Sequence, residues 1–256
     1  MTPVMAGVAD DFQDAINFLF HSRDSVLSDK VQVGGSEVLE LAARHMLLSA
    51  VAVFAACLIS LPIGLYLGHV RKGEFVAITV SNVGRAVPTL ALLAFFVAYL
   101  GAGFTNVAVV LMLLAIPPIL TNTYVGVSQA DRDTVDSARG MGFTEAGIIR
   151  GVELPLALPL IFGGIRTSSV NVVATATIAP LASVNTLGTP IINANVYGTA
   201  GQLGAAIAVA LLTVSVDFVL ARIQHAVTPK GLRVGRRSSA LSRLLVRRPR
   251  ERQVTT

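Results

Sequence analysis

Asp131, Arg132, Asp133, Asp136, Arg139, Glu145, Arg150 and Glu153 crowd one internal stretch of an otherwise apolar chain, DRDTVDSARGMGFTEAGIIRGVELPLALP at residues 131–159. Carboxylates and guanidinium groups at this density can serve acid–base catalysis, metal binding or the gripping of a partner. The first two need company that the chain does not supply. Its four histidines, His21, His45, His69 and His225, stand far apart with no ligand spacing. No Gly-x-Ser-x-Gly elbow, His-Glu-x-x-His pair or Gly-x-x-x-x-Gly-Lys-Ser/Thr phosphate cradle is present. The one cysteine, Cys57, lies inside an apolar run and supports no disulfide, zinc or redox role. The expectation is therefore not an enzyme: no catalytic, cofactor-binding or metal-binding residues, and no ATP hydrolysis by this chain.

Local signals shape the stretch into a bracket. Residues 135–138 can form a helical turn, and Gly140 and Gly142 let the backbone bend sharply after it. Thr144 is placed to cap a second helix, with Glu145 in its first turn. Ile148, Ile149 and Val152 give that helix an apolar side, and Pro155 and Pro159 are expected to close it. A short two-helix bracket held outside a membrane has the shape of a docking element.

What must position the bracket is a set of membrane helices. At 256 residues, 53% hydrophobic and 14% charged, with a mean hydropathy of +0.69, the chain is too apolar for a soluble domain. The fold expected is all-α, with about five membrane-spanning helices. The first covers roughly 46–67 and the second lies within 75–100, interrupted by the polar patch 81–85 and Pro88. The third covers about 105–127, the fourth 160–181 and the fifth 203–223, with a Gly/Asn-rich connection at 183–201. Residues 1–42 form a polar to amphipathic segment, in which Phe12, Ile16, Leu19 and Phe20 suggest a short surface or interfacial helix. The first twenty residues lack the basic start of a secretory signal. Residues 43–225 form the membrane domain and 226–256 a basic tail.

Lys and Arg are absent from the connections at 101–104 and 183–202 but frequent at 69–74, in the bracket and in the tail. The positive-inside rule places the bracket and C-terminus in the cytoplasm and the N-terminus outside. A tail facing lipid headgroups explains the net charge of +5 without nucleic acid. Arg85, Arg166 and Asp217 fall inside spans, where a charge costs about 2.5–3.5 kcal/mol on insertion scales. Either the arginines snorkel to the headgroups, or Asp217 pairs with one of them and ties helices at the inner mouth. The break at Ser81–Thr89 survives in a bilayer only beside protein or water. It therefore belongs near a translocation path or at a buried kink.

The bracket resembles the signature loop of permease subunits of binding-protein-dependent ABC importers: Glu-Ala-Ala, three residues, Gly, nine residues, Ile-x-Leu-Pro. Asp136, Ser137 and Ala138 take the first places, Gly142 the glycine, and Val152, Glu153, Leu154 and Pro155 the end. Gly84–Leu93, Asn122-Thr123-Tyr124-Val125-Gly126, Gly164-Ile165-Arg166-Thr167 and Ala174–Ala179 are similar to segments of the osmoprotectant type, which takes up glycine betaine, choline or carnitine. The resemblance covers about residues 40–225. Ser183-Val184-Asn185-Thr186-Leu187-Gly188 departs from the family's glycine-rich Gly-Ala-Gly-Gly-Leu-Gly.

The resemblance implies the type I importer permease fold, in the cell membrane, with a cytoplasmic coupling helix between the third and fourth spans. Asp136, Ser137, Ala138, Arg139, Gly142, Phe143, Leu154 and Pro155 would couple to the ATPase, with Ala138 and Phe143 flanking the contact. Asn82, Arg85, Pro88, Asn122, Tyr124, Thr175 and Thr177 would line or gate the path. Two ATP-binding subunits carrying ATP and Mg, a second permease subunit and an external solute-binding protein are the implied partners. The solute is expected to be a quaternary amine. The alternatives are an amino acid, since methionine-type permeases share the bracket, or a stand-alone secondary transporter, for which no internal repeat speaks.

Overall fold

The computed structural model describes residues 3–228. The arginine-rich part of the tail, from residue 229 on, lies outside them. Three long helices form the centre. α2 (Ser36–Val70) has 35 residues, about 52 Å at 1.5 Å per residue. It begins well ahead of the expected first span and crosses the boundary drawn at residues 42 and 43. Its buried stripe follows helical spacing: Leu41 joins Phe18 and Tyr197, His45 meets Val173 O at 2.8 Å, and Leu48, Ala52, Ala56, Ser60, Gly64 and Gly68 pack toward α5 (Phe104–Ser128). The two helices touch at backbone distance. A Cβ on Gly64 would stand 2.7 Å from Thr123 Cβ, and one on Gly68 2.6 Å from Val127 Cβ. Small residues that let backbones approach are how helices associate where lipid offers no hydrophobic drive.

The second expected span is divided outright. α3 (Glu74–Ala86) and α4 (Thr89–Leu100) are separate helices, with Val87 and Pro88 extended between them. Pro88 forces this, because its ring pushes the preceding residue out of the helical region. α4, with 12 residues, is about 18 Å long, short of a ~30 Å hydrocarbon core. Among the described residues four helices are long and apolar enough to cross a membrane: α2, α5, the rod at Glu145–Ala182 and α10 (Ala194–Val227).

After α5 come α6 (Arg132–Gly140) and α7 (Glu145–Ile148). Here one expectation fails: Pro155 and Pro159 do not end the second bracket helix. α7 runs through a widened π turn at Ile149–Glu153 into α8 (Leu154–Thr175), and a 3-10 segment, Ala176–Ala182, finishes the rod. Pro155 has no N–H to offer, and the π turn adapts by carrying Leu154 N–H to Ile149 O. Pro159 sits mid-helix, and its carbonyl accepts from the Gln224 amide of α10 at 2.9 Å. This bond ties α8 to α10 beyond the π segment. The main core lies where α2, α5 and α8 meet, around Ala52, Ala56, Leu111, Ala115, Ile119 and Val172. Ser60 and Ser168 donate to the carbonyls of Ile116 and Ala115 at 3.3 and 2.8 Å, fixing both flanking helices to α5.

α9 (Gly188–Ile192) leads into α10, which bends at Gly198. The N-terminal segment is more than a surface helix. α1 (Pro3–Phe20) is followed by an antiparallel hairpin of β1 (Ser22–Ser25) and β2 (Ser28–Gly34), which the sequence reading did not foresee. Phe18 is buried, edge-on to Tyr197 at 6.2 Å. Val26 N–H and the Ser25 hydroxyl both donate to Val196 O at 3.0 Å, and Arg23 donates to Tyr197 O at 2.5 Å. The Tyr197 hydroxyl donates to Glu37 at 2.6 Å. Phe12, Ile16 and Phe20 remain exposed on the other face of α1.

Candidate functional site

The bracket is a folded unit with its own small core, Ala130, Val135, Ala138 and Ile148, against which Val152 packs. Asp131 caps α6 by accepting from Thr134 N–H at 2.9 Å, a bond that holds its carboxyl below the usual carboxylate range. A depressed carboxyl stabilises above its ordinary pKa, so this cap is lost as pH falls through the lowered value. Thr144 caps α7, accepting from Gly147 N–H at 3.1 Å. Between the caps the chain makes a Schellman turn. Phe143 N–H bonds Ala138 O at 3.2 Å, Gly142 N–H bonds Arg139 O at 3.0 Å, and Gly142 has a φ of +87°. Nothing lies within 4 Å of a Cβ built on Gly142, so backbone strain alone excludes a side chain there.

Arg139 is engaged inside the bracket. It grips Glu145 with two parallel bonds of 2.9 and 3.0 Å and Asp136 with a third of 2.8 Å. Donating to the Glu145 carboxylate raises the Arg139 pKa. Ala138, expected to flank a docked partner, is buried because it supplies the bracket core. The outward surface is Asp136, Ser137, Met141 and Phe143, with Met141 71% exposed. Met141 was missed because a lone apolar residue in a polar turn has no periodic signal. Leu154 and Pro155 are half-buried at the head of α8.

A second polar feature runs between the helices. Gly84 and Asn122 border a cleft of about 230 Å³ together with Thr121, Thr167 and Asn171. Thr167 and Asn171 also line the neighbouring cleft of about 400 Å³, which contains Arg166, Asp217 and Gln224. Arg166 and Asp217 form a forked pair, Nε to Oδ1 and Nη2 to Oδ2, the latter at 2.6 Å. Of the two arginines open to Asp217, Arg166 is its partner. The result is a stripe of two joined clefts from Gly84 of α3 across α5 to α8 and α10, its polar groups supplied by Thr121, Asn122, Arg166, Thr167, Asn171, Asp217 and Gln224.

The other expected path residues scatter. Asn82 and Pro88 are exposed around the break, and Arg85 is in α3, its side chain outside the described part. Tyr124 is buried and borders a different cleft, beside Arg71 and Glu74. Thr175 lies at the end of α8, and Thr177 donates to Ala174 O at 2.9 Å in the 3-10 segment, so neither borders the stripe. Thr167 and Asn171 were missed, although their four-residue spacing puts them on one face of α8.

Comparisons with known proteins agree with the geometry. Residues 60–230 match the family described as the binding-protein-dependent transport system inner membrane component. The chain is 37% identical over 203 residues to the glycine betaine/carnitine/choline transport system permease protein OpuCB of Bacillus subtilis (strain 168), covering 79% of this chain and 94% of that protein. It is 36% identical over 203 residues to the choline transport system permease protein OpuBB of the same organism, with the same coverage. The osmoprotectant import permease protein OsmY of Salmonella typhimurium (strain LT2) is 35% identical over 199 residues, 75% of this chain and 83% of that one. Among solved structures, an inward-facing MetNI methionine ABC transporter superposes with a TM-score of 0.66 at 21% identity, over 75% of this chain and 96% of the other. At that identity the likeness shows the fold alone. The chain belongs to the binding-protein-dependent inner membrane component family and is the permease subunit of an ABC importer.

Proposed function

We propose that this permease carries a compatible solute of the quaternary-amine class, such as glycine betaine, choline or carnitine, and that the bracket at 131–159 is its coupling element. The relatives named for those solutes support the first part. The observation that carries the second is the Schellman turn at Gly142, which sets two capped helices at a fixed angle and turns Met141 and Phe143 outward. Two ATPase subunits holding ATP and Mg would dock there from the cytoplasm. A second permease copy or homologue would complete the path, and an external binding protein would deliver the solute. In this reading α3 and α4 together make the second of five crossings, and the N-terminal segment is external. Coupling is then a two-state equilibrium that nucleotide and solute both bias.

Gly142→Val tests the docking role. A β-branched residue at this φ is strained by about 1–3 kcal/mol in a turn outside the membrane core. Membrane level should hold, while ATPase co-purification and solute uptake fall. Normal association with normal uptake would remove the coupling role. Uptake of labelled betaine, choline, carnitine and methionine by the wild type assigns the solute, and methionine alone would overturn the quaternary-amine reading. For orientation, Asn195→Cys, at an exposed position, should react with an impermeant thiol reagent from outside. Reaction only after permeabilisation would reverse the topology.

A further inference from the structure

His69, one residue from the end of α2, stands between two carboxylates of the bracket. Its Nδ1 donates to Glu153 Oε2 at 2.7 Å, and its Nε2 lies 3.1 Å from Glu145 Oε2. Glu153 is 1% exposed and His69 13% exposed, so the contact is closed off from solvent. Each ring nitrogen faces a different carboxylate. A buried carboxylate also requires a partner of this kind, because a charge without one is costly away from water. The π turn at Ile149–Glu153 ends on Glu153, the residue that faces His69.

Two residues beyond His69, Arg71 takes up the left-handed conformation with a φ of 56°. Its guanidinium donates to Ala130 O at 2.5 Å, at the other end of the bracket. The end of α2 therefore holds the bracket at two points, one before α6 and one after α7. Glu145 extends the His69 grip outward, since the same carboxylate is held by Arg139, next to the turn. Directly behind the clamp, α2 meets α5 through Gly64 and Gly68 at backbone contact. A displacement of the bracket would thus reach α2 directly, and not only through the α5 and α8 ends to which the bracket is covalently joined.

We infer that His69, with Arg71, is a coupling clamp: a positioning residue that transmits bracket movement to α2. The inference rests on the importer reading above. His69 is largely covered while Met141 and Phe143 are exposed, so changing it should leave the docking surface in place.

The test uses the full complex, permease with its ATPase and binding protein, reconstituted in proteoliposomes. His69→Leu should retain ATPase co-purification and basal ATP hydrolysis, while solute-stimulated hydrolysis and uptake fall together by roughly tenfold, within the range of ordinary coupling terms. His69→Arg should recover most of that loss, because its planar fork can donate to both carboxylates. A merely structural role would lower membrane level and basal hydrolysis in step and would give no rescue by Arg. Should His69→Leu fail to insert, His69→Gln carries the reading: it keeps a polar group but has donors on one nitrogen only, and it should uncouple partially. Stimulated hydrolysis within twofold of wild type in His69→Leu or His69→Gln would overturn the clamp. A wild-type chain that recruits no ATPase would overturn the importer reading instead.

Discussion

Gly188→Ala is expected to remove most of the folded permease from the membrane. Gly188 opens α9 and lies against the 3-10 segment that ends the α8 rod. A Cβ there would penetrate the carbonyl oxygen of Thr177 and stand 2.5 Å from the carbonyl carbon. These are backbone atoms, so no rotamer change relieves the overlap. Nor can the segment retreat easily. The Thr186 hydroxyl donates to Ala176 O at 3.1 Å and accepts from Gly188 N–H at 3.2 Å, and the Thr189 hydroxyl accepts from Thr186 N–H at 3.1 Å. Ala176, Ala179 and Ala182 on the other side are fully buried in the main core. A single methyl should therefore destabilise by about 3 kcal/mol or more, at the severe end for overpacking. Membrane abundance and the thermal midpoint of the purified protein are the measurements. Ser183→Gly is the matching control: Ser183 already holds a φ of 61°, and glycine there relieves strain and should leave abundance intact. Wild-type abundance in Gly188→Ala would mean that α9 does not approach the 3-10 segment this closely.

The same loop shows how a sequence departure can hide a kept geometry. The chain lacks the glycine-rich run expected at 183–188, yet the one glycine that close approach demands, Gly188, is retained. Threonine hydroxyls then supply backbone bonds in a turn where no glycine stands. Spacing alone does not disclose that exchange, because Ala176 and Thr186 are ten residues apart and meet only in the fold.

Legibility followed the range of the forces involved. The caps at Asp131 and Thr144 and the turn at Gly142 act across three to five residues, and the bracket follows from its own sequence. The break at Pro88 is equally local. Pro155 and Pro159 misled because a proline removes one N–H without always ending a helix: a π turn precedes Pro155 at the head of α8, and Pro159 is carried inside that helix. The β1–β2 hairpin had little to announce it: Ser22–Ser25 has no apolar alternation, and its anchor, Val196, is 171 residues from Ser25. His69 looked idle for the same reason, since Glu153 lies 84 residues away in sequence. Arg166 and Asp217 were legible as a pair of problems, because each charge is costly where it stands. Which arginine meets Asp217 required the fold.

Breaking that pair should halt transport before it unfolds the protein. Arg166 and Asp217 join α8 to α10 by a fork, at side-chain exposures of 38% and 37% in the single chain. Inside a span, such exposure suits a water-filled path or a second permease better than lipid. Thr167, Asn171 and Gln224 line the same cleft, so the fork is one wall of a polar groove and not an isolated pin. Asp217→Asn removes one charge but keeps hydrogen-bonding groups in place. It should leave membrane level near wild type and lower uptake by roughly tenfold, the scale of coupling between groups in one network. Asp217→Leu strands the Arg166 charge and should lower membrane level as well. The double change Arg166→Leu with Asp217→Leu discriminates between a tie and a path wall. With neither charge left unpaired, membrane level should return, as it often does when both members of an ion pair are replaced by apolar groups. Uptake should stay low, because the groove has lost its polar wall. Recovery of uptake together with membrane level would make the pair a helix tie only, and unchanged uptake in Asp217→Asn would remove it from the transport path altogether.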